Sequence, residues 1–460
     1  MKTKLDYEEL VKSQLDYFNT NITKDVGFRI NQLKKFSSIL KANEDLLDKA
    51  IYKDFKKSSF ENYLTELSLI YHEINLAIKN LKRWSKKKKV STNLAMIPGS
   101  SYIMPEPLGV TLTIGAWNYP YQLSLAPVVA AIAAGNTVVV KPSELSLNSS
   151  NAMAKIINEN FESKYFYVVE GGVNETTELL KQKFDKIFYT GSVGVGKIIM
   201  KAAAEHLTPV TLELGGKSPA FIFNDAKLKI AAKRLVWAKF LNGGQTCVAP
   251  DYLLVEKGIK EKLIVEIKKQ IFEIHGANPQ ESEAFVRIIN PRHYNRLLKL
   301  IDAKKVCLGG KTDESDLYIA PTVMDNVSFD DAVMQEEIFG PILPIIEFSN
   351  LDSAIKMVKE RPKPLSLYVF SSNQKNLNKM FHEISFGGGA VNDAVVQLAN
   401  SNLPFGGVGN SGMGNYHGKA GFDTFSHFKS IYKHSTLIEL PIKYTPYSDW
   451  KLKLLSTMIE

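Results

Sequence analysis

The sequence predicts an α/β protein: a Rossmann-like domain, a second α/β domain, and a small β arm. Three observations carry this expectation. Short β-branched runs alternate with helical stretches at 110–114, 137–140, 165–169 and 186–189, and a small-residue helix pattern fills 124–134. A second alternating region runs from about 214 to 390, with strand candidates at 220–223, 252–255 and 367–370. Strands separated by helices imply parallel pairing and right-handed crossovers. The third observation is length, since 460 residues are too many for one simple core.

Taken in order, residues 1 to about 85 read as helices. Apolar positions recur at three- and four-residue spacing, as in Leu33, Phe36 and Leu40, then Leu46, Leu47, Ala50 and Ile51. The run from Lys82 to Lys89 reads as the polar end of a helix entering a connector. Segments near 90–106 and 420–436 are β-prone and polar, and pair in this reading as an arm reaching towards another subunit. The division that follows is 1–85 with 107–213, then 214–419, with an arm of 86–106 and 420–440 and a tail of 441–460. The tail is apolar on one face at helical spacing after Tyr447; packing on a partner subunit is its plainest role.

Composition narrows the class. Hydrophobic residues make up 45% and charged residues 23%, an ordinary globular balance. The net charge of +9 suits either anionic ligands or a lysine-rich solvated surface. Nucleic acid is not expected, because the densest basic run carries only Trp84 for base stacking. Two cysteines, Cys247 and Cys307, make no disulfide framework, and the N-terminus reads as an amphipathic helix rather than a signal peptide. Both point to the cytoplasm. No run of about 18 apolar residues indicates a membrane span. No metal site is expected.

Seven segments carry chemistry. In Asn242-Gly243-Gly244-Gln245-Thr246-Cys247 a glycine pair permits a tight turn that presents a thiol, and the Cys247 amide is placed to donate to an oxyanion. A buried loop cysteine is the alternative. Glu213 lies between Leu212 and Leu214, where desolvation makes a carboxylate a usable base near neutral pH. A surface strand end is the plainer reading of that segment alone. Asn118, in Ala116-Trp117-Asn118-Tyr119-Pro120, is either an oxyanion donor or a helix cap. Gly191-Ser192-Val193-Gly194-Val195-Gly196 follows a strand and opens a helix, as phosphate-binding turns do, without the G-x-G-x-x-G spacing. Lys141 and Glu144, after a strand, suit ribose hydroxyls or a salt bridge. Glu337 and Phe339 place a carboxylate beside an aromatic. The glycine-dense loop from Leu403 to Gly412 is either mobile or packed against a ligand.

Together, in this order, these segments resemble the aldehyde dehydrogenase superfamily, from about residue 10 to the low 440s. The matching motifs are WNYP, KPSE, ELGGKSP, GQTC, EEIFGP and PFGG, and the spacing of 34 residues from Glu213 to Cys247 also agrees. The stretch from Gly409 to Gly418, then Phe422 to His427, is similar to the class 3 branch of fatty and aromatic aldehyde enzymes. The resemblance implies that branch's fold, with NAD(P) in the first domain and catalysis in the second. It implies Cys247 as nucleophile, Asn118 with the Cys247 amide as oxyanion hole, and Glu213 as the base that hydrolyses a thioester. Glu337 and Phe339 would hold the nicotinamide ribose and ring, and Lys141 and Glu144 the adenosine ribose. Residues Gly191 to Gly196 would meet the region of the pyrophosphate, the Leu214 carbonyl would lie near the nicotinamide amide, and Trp117 would be a further cofactor contact. Tyr119 and Phe405 would line the substrate funnel.

Cys307 is structural in this reading, and His417 has no assigned proton transfer. Glu144 repels a 2′-phosphate and so favours NAD, with NADP possible. The expected partners are a small-molecule aldehyde and a second copy of the chain, as a homodimer, with peripheral membrane contact through the tail conceivable. Two rivals stand beside this: a CoA-acylating dehydrogenase on the same fold, disfavoured by Glu213, and a non-catalytic NAD-binding or basic scaffold.

Overall fold

The computed structural model describes residues 6–459. Its centre is a six-stranded sheet. The strands lie in the order Phe166–Val168, Thr137–Lys141, Val110–Ile114, Lys186–Thr190, Val210–Glu213 and Gly412–Met413. The first five are parallel and the last is antiparallel. Val110–Ile114 and Thr137–Lys141 are rich in β-branched residues and buried on both faces, as parallel strands covered by helices require. The order reverses direction between Val110–Ile114 and Lys186–Thr190, so a crevice opens beyond the carboxyl ends of those two strands.

The helix after Val110–Ile114 spans Pro120–Ala134, starting four residues before the small-residue pattern. Pro120 sits in its first turn, where a missing N–H costs nothing, and it is buried along its whole length. It packs on the helices Val26–Ala42 and Ser68–Trp84, whose Leu33, Phe36, Leu40 and Ile74 are fully buried.

A seven-stranded sheet forms the second layer system. Its order is Val306–Leu308, Thr322–Met324, Ile342–Phe348, Tyr252–Glu256, Pro219–Ile222, Ser366–Phe370 and Gly388–Val391. Only the pair with Val306–Leu308, which carries Cys307, is antiparallel. Late residues return to the first layer system. Gly412–Met413 pairs with Val210–Glu213, and Tyr416, Phe422 and Phe425 join the core beneath Pro120–Ala134.

The β-prone segments pair with one another. Gly99–Pro107 runs antiparallel to Ser426–His434 in unbroken register from Gly99↔His434 to Pro107↔Ser426, with Lys88–Val90 on its other edge. The tail forms the helix Asp449–Ile459, tied back by Lys451 Nζ, which donates to the carbonyls of Tyr444 and Pro446 at 2.8 Å each. Among the described residues, no helix is long and apolar enough to cross a membrane.

Candidate active site

Glu213 ends its strand at the bottom of the crevice. Its neighbour across the sheet is Gly412, and its own carbonyl accepts from Gly191 N–H at 3.0 Å. The side chain is 3% exposed, and neither carboxylate oxygen has a hydrogen-bond partner. Burial therefore holds its pKa well above the ordinary carboxylate value. Burial without compensation is unusual for a carboxylate and makes Glu213 a candidate functional group.

The cysteine arrives from the opposite side. The helix Leu228–Phe240 ends in a tight turn, with Asn242 at φ 53°, ψ 29° and Gly243 at φ 60°, ψ 26°. Gly244 continues left-handed at φ 74°, and a Cβ there would sit 2.3 Å from the carbonyl of Gly340. The glycine pair thus lets the thiol loop press against the Glu337–Gly340 segment. Cys247 follows, half-buried. Its thiol is pushed up to about 12, first by burial and then by the charges of Glu337 and Glu213, against which the amides of Cys247 and Val248 pull.

Asn118 is held between these two elements. Its Nδ2 donates to the Gln245 carbonyl at 3.0 Å, and its backbone carbonyl accepts from Asn242 Nδ2 at 2.8 Å and Lys57 Nζ at 3.3 Å. An amide nitrogen carries two hydrogens, so one remains for the cavity that Asn118 and Cys247 both line. Tyr119 is fixed by a 2.6 Å bond between its hydroxyl and Thr246 Oγ1.

Two cavities meet at the thiol. The first is a cleft of about 680 Å³. Trp117, Asn118, Lys141, Glu144, Gly191, Ser192, Val195, Glu213, Leu214, Cys247, Glu337, Phe339 and Phe405 line it. Lys141 Nζ lies 3.6 Å from Glu144 and donates to the Pro142 carbonyl at 2.6 Å; burial lowers its pKa. Ser192 caps the helix Val193–Glu205, which turns its N-terminal end towards the cleft. Glu337 is pushed up to about 8, first by burial and then by Asp251, and its Oε1 has no partner. Gly215 makes room for that carboxylate, since a Cβ there would sit 2.0 Å from Oε2.

These features fit a dinucleotide. A helix N-terminus offers amides to phosphate, Lys141 and Glu144 offer a donor and an acceptor to hydroxyls, and Glu337 Oε1 is a buried acceptor awaiting a donor.

The second cavity, about 230 Å³, is apolar. Leu64, Trp237, Leu241, Val396, Tyr416 and His417 contribute to its wall, and Leu123, Cys247 and Phe405 line both cavities. His417 lies nearly parallel to the Phe405 ring at 5.3 Å between centroids, and burial lowers its pKa to about 4, leaving it neutral. Two residues of this wall carry backbone conformations that side chains rarely adopt: Val395 at φ 69°, ψ −39° and His417 at φ 78°, ψ 135°. Such geometry costs about 1–3 kcal/mol per residue and gathers where a site needs a particular shape.

Some expected residues lie elsewhere. Val193, Gly194 and Gly196 are off the cleft wall. Gly196 serves packing, because a Cβ there would meet Leu214 Cδ2 at 2.9 Å, and nothing stands within 4 Å of one at Gly194. In the glycine-dense loop after Leu403, two glycines serve close backbone approach. Gly406 and Gly407 pack backbone on backbone, where a Cβ would meet the carbonyls of Gly414 at 2.2 Å and Ser411 at 2.1 Å.

Lys57, Glu61 and Glu66 were not expected. All three are buried beside Asn118 and Asn242, and helical spacing gave no sign of them.

A doubly wound sheet with a dinucleotide-shaped cleft, facing a second α/β sheet that delivers a cysteine, defines an NAD(P)-dependent oxidoreductase. The chain belongs to the aldehyde dehydrogenase family, whose family model matches residues 2–431. It is 48% identical over 433 residues to the 4,4'-diaponeurosporen-aldehyde dehydrogenase of Staphylococcus aureus, covering 94% of each chain. It is 47% identical over 421 residues to the dimeric NADP-preferring aldehyde dehydrogenase of Mus musculus, covering 92% of this chain and 93% of that one. A solved substrate-bound state of Staphylococcus aureus AldH superposes with a TM-score of 0.97 at 46% identity, covering 99% of this chain and all of the other. A Sinorhizobium meliloti NAD-dependent aldehyde dehydrogenase follows the same fold at 27% identity and a TM-score of 0.86, covering 96% and 88%.

Proposed function

We propose that this aldehyde dehydrogenase oxidises medium- or long-chain aliphatic or aromatic aldehydes to acids through a covalent thioester on Cys247. The observation that carries the reading is the meeting at one thiol of a large cleft bearing Lys141, Glu144, Glu213 and Glu337 and a smaller, mostly apolar cavity. A cavity whose wall is mostly apolar favours a hydrocarbon chain over a charged one. The relative named for 4,4'-diaponeurosporen-aldehyde supports an apolar substrate.

The thiol proton passes to solvent water, and Cys247 sulfur bonds to the carbonyl carbon as the C=O π bond opens. The oxygen then gains charge against Asn118 Nδ2 and the Cys247 amide. When bound, the oxidised dinucleotide supplies the hydride acceptor and a positively charged ring. Glu213 takes a proton from water as that water attacks the thioester carbon; the C–S bond breaks and the acid departs. Glu337 and Phe339 hold the nicotinamide end, Lys141 and Glu144 the adenosine ribose, and Ser192 with the adjoining helix amides the pyrophosphate. The carboxylate of Glu144 repels a 2′-phosphate and favours NAD, while the NADP-preferring mouse relative keeps NADP a working alternative. The strand pair Gly99–Pro107 and Ser426–His434 supports a dimer arm.

Rates over aldehyde chain length, with NAD and with NADP, test the reading. Expected is acid formation without CoA and a kcat/KM that rises with apolar length. Acid formed only when CoA is present would replace hydrolysis by acyl transfer, and a flat length profile would remove the apolar assignment.

A further inference from the structure

We infer that Lys57, Glu61 and Glu66 form a buried charged cluster that positions the oxyanion-binding amides, a positioning role that rests on the mechanism proposed above. Lys57 Nζ pairs with Glu66 Oε1 at 2.7 Å, with both side chains wholly inaccessible, and reaches the Asn118 carbonyl at 3.3 Å. It lies 4.2 Å from the centroid of the Tyr119 ring. Glu66 Oε2 accepts from the N–H groups of Tyr121 at 2.7 Å and Gln122 at 3.3 Å, fixing the helix that begins just after Asn118. Glu61 Oε1 accepts from Asn242 N–H at 2.8 Å, in the left-handed turn that leads to Cys247. One cluster therefore holds both loops that supply the amides.

The helix geometry explains how two carboxylates five residues apart serve one cluster, Glu66 on Lys57 and Glu61 on the Asn242 amide. In an α-helix such residues point about 140° apart. Here a π-helical turn spans Tyr63–Leu67, and its wider i→i+5 spacing brings Glu61 and Glu66 towards the same side. The outer face of that turn carries Leu64 and Thr65 into the apolar cavity. A charged group sealed from water with partners on several elements fixes their relative positions more tightly than apolar contact does.

The test uses Lys57→Met, Lys57→Arg and Glu66→Gln in the full-length protein. It measures kcat and KM for an aliphatic aldehyde, dinucleotide binding, and alkylation of Cys247 by iodoacetamide. Alkylation forms no oxyanion, so it reports the thiol without the amides. Expected for Lys57→Met and Glu66→Gln is a kcat loss of roughly 10–100-fold, below that for deleting an oxyanion donor outright. Alkylation and dinucleotide binding should stay within about threefold of wild type, and Lys57→Arg should fall between Lys57→Met and wild type. Parallel losses in kcat, alkylation and dinucleotide binding would overturn the inference by showing general disorder. If Lys57→Met does not fold, Lys57→Arg and Glu66→Gln decide: wild-type kcat in both overturns it, and a selective kcat loss supports it. Wild-type protein that forms no acid from any aldehyde would instead remove the mechanism beneath the proposal.

Discussion

At the scale of single residues, burial raises the acids of the site. Cys247, Glu213 and Glu337 all sit above their ordinary values because burial disfavours each anion, and the two carboxylates also raise the thiol. With the thiol at about 12, its alkylation without dinucleotide should rise about tenfold per pH unit from pH 7 to 10. A plateau near pH 8 would show a thiolate already formed. Glu213→Gln removes the proton acceptor for water while leaving the thiol in place. Its acid release should fall by about 10²–10⁴-fold, with a first-turnover burst of NADH preserved. Loss of that burst would move Glu213 to an earlier step.

At the scale of elements, glycine positions decide how closely the segments approach. Gly412, at φ 155°, lets its short strand lie against Val210–Glu213; a Cβ there would meet the Leu212 carbonyl at 2.5 Å. Gly412→Ala should cost about 2–3 kcal/mol of stability, read from the urea unfolding midpoint, because backbone rather than a flexible side chain must yield. The same elements show what the sequence reveals and what it hides. The strands 110–114 and 186–190 and the turns after them were legible because β-branched runs and glycine turns are local signals. The start of Pro120–Ala134 was less so, because prolines at 120 and 127 obscure a helix that tertiary packing completes. The cluster at Lys57, Glu61 and Glu66 was hidden for a different reason. Its partners Asn118 and Asn242 are remote in sequence, and a π turn breaks the three- and four-residue rhythm by which inward faces are read. The backbone packing of Gly406 and Gly407 was not legible, because glycine serves close backbone packing and ligand approach alike.

At the scale of the molecule, buried acids set the response to pH. Glu61 and Glu73 are each raised to about 7 and Glu337 to about 8, in each case chiefly by burial. The folded state therefore keeps protons that the unfolded chain releases above about 4.5. Stability is fullest near the unfolded value and falls as pH rises towards the folded one. For Glu61 the loss approaches about 3 kcal/mol at most, taking about 1.4 kcal/mol per pH unit. Urea midpoints should accordingly drop between pH 6 and pH 8, and Glu61→Gln should shrink that drop. A midpoint that climbs over this interval would contradict the burial argument.

The late strand Gly412–Met413 has a consequence for synthesis. A ribosome delivers Val210–Glu213 long before the residues that flank it, so the nascent sheet has an open, hydrogen-bonding margin beside Glu213 while the rest of the chain is made. Tyr416, Phe422 and Phe425, which complete the core under Pro120–Ala134, arrive later still. The first layer system can collapse early, yet the edge beside Glu213 closes only when Gly412–Met413 emerges. Premature termination near residue 400 would leave an adhesive half-product rather than a smaller enzyme.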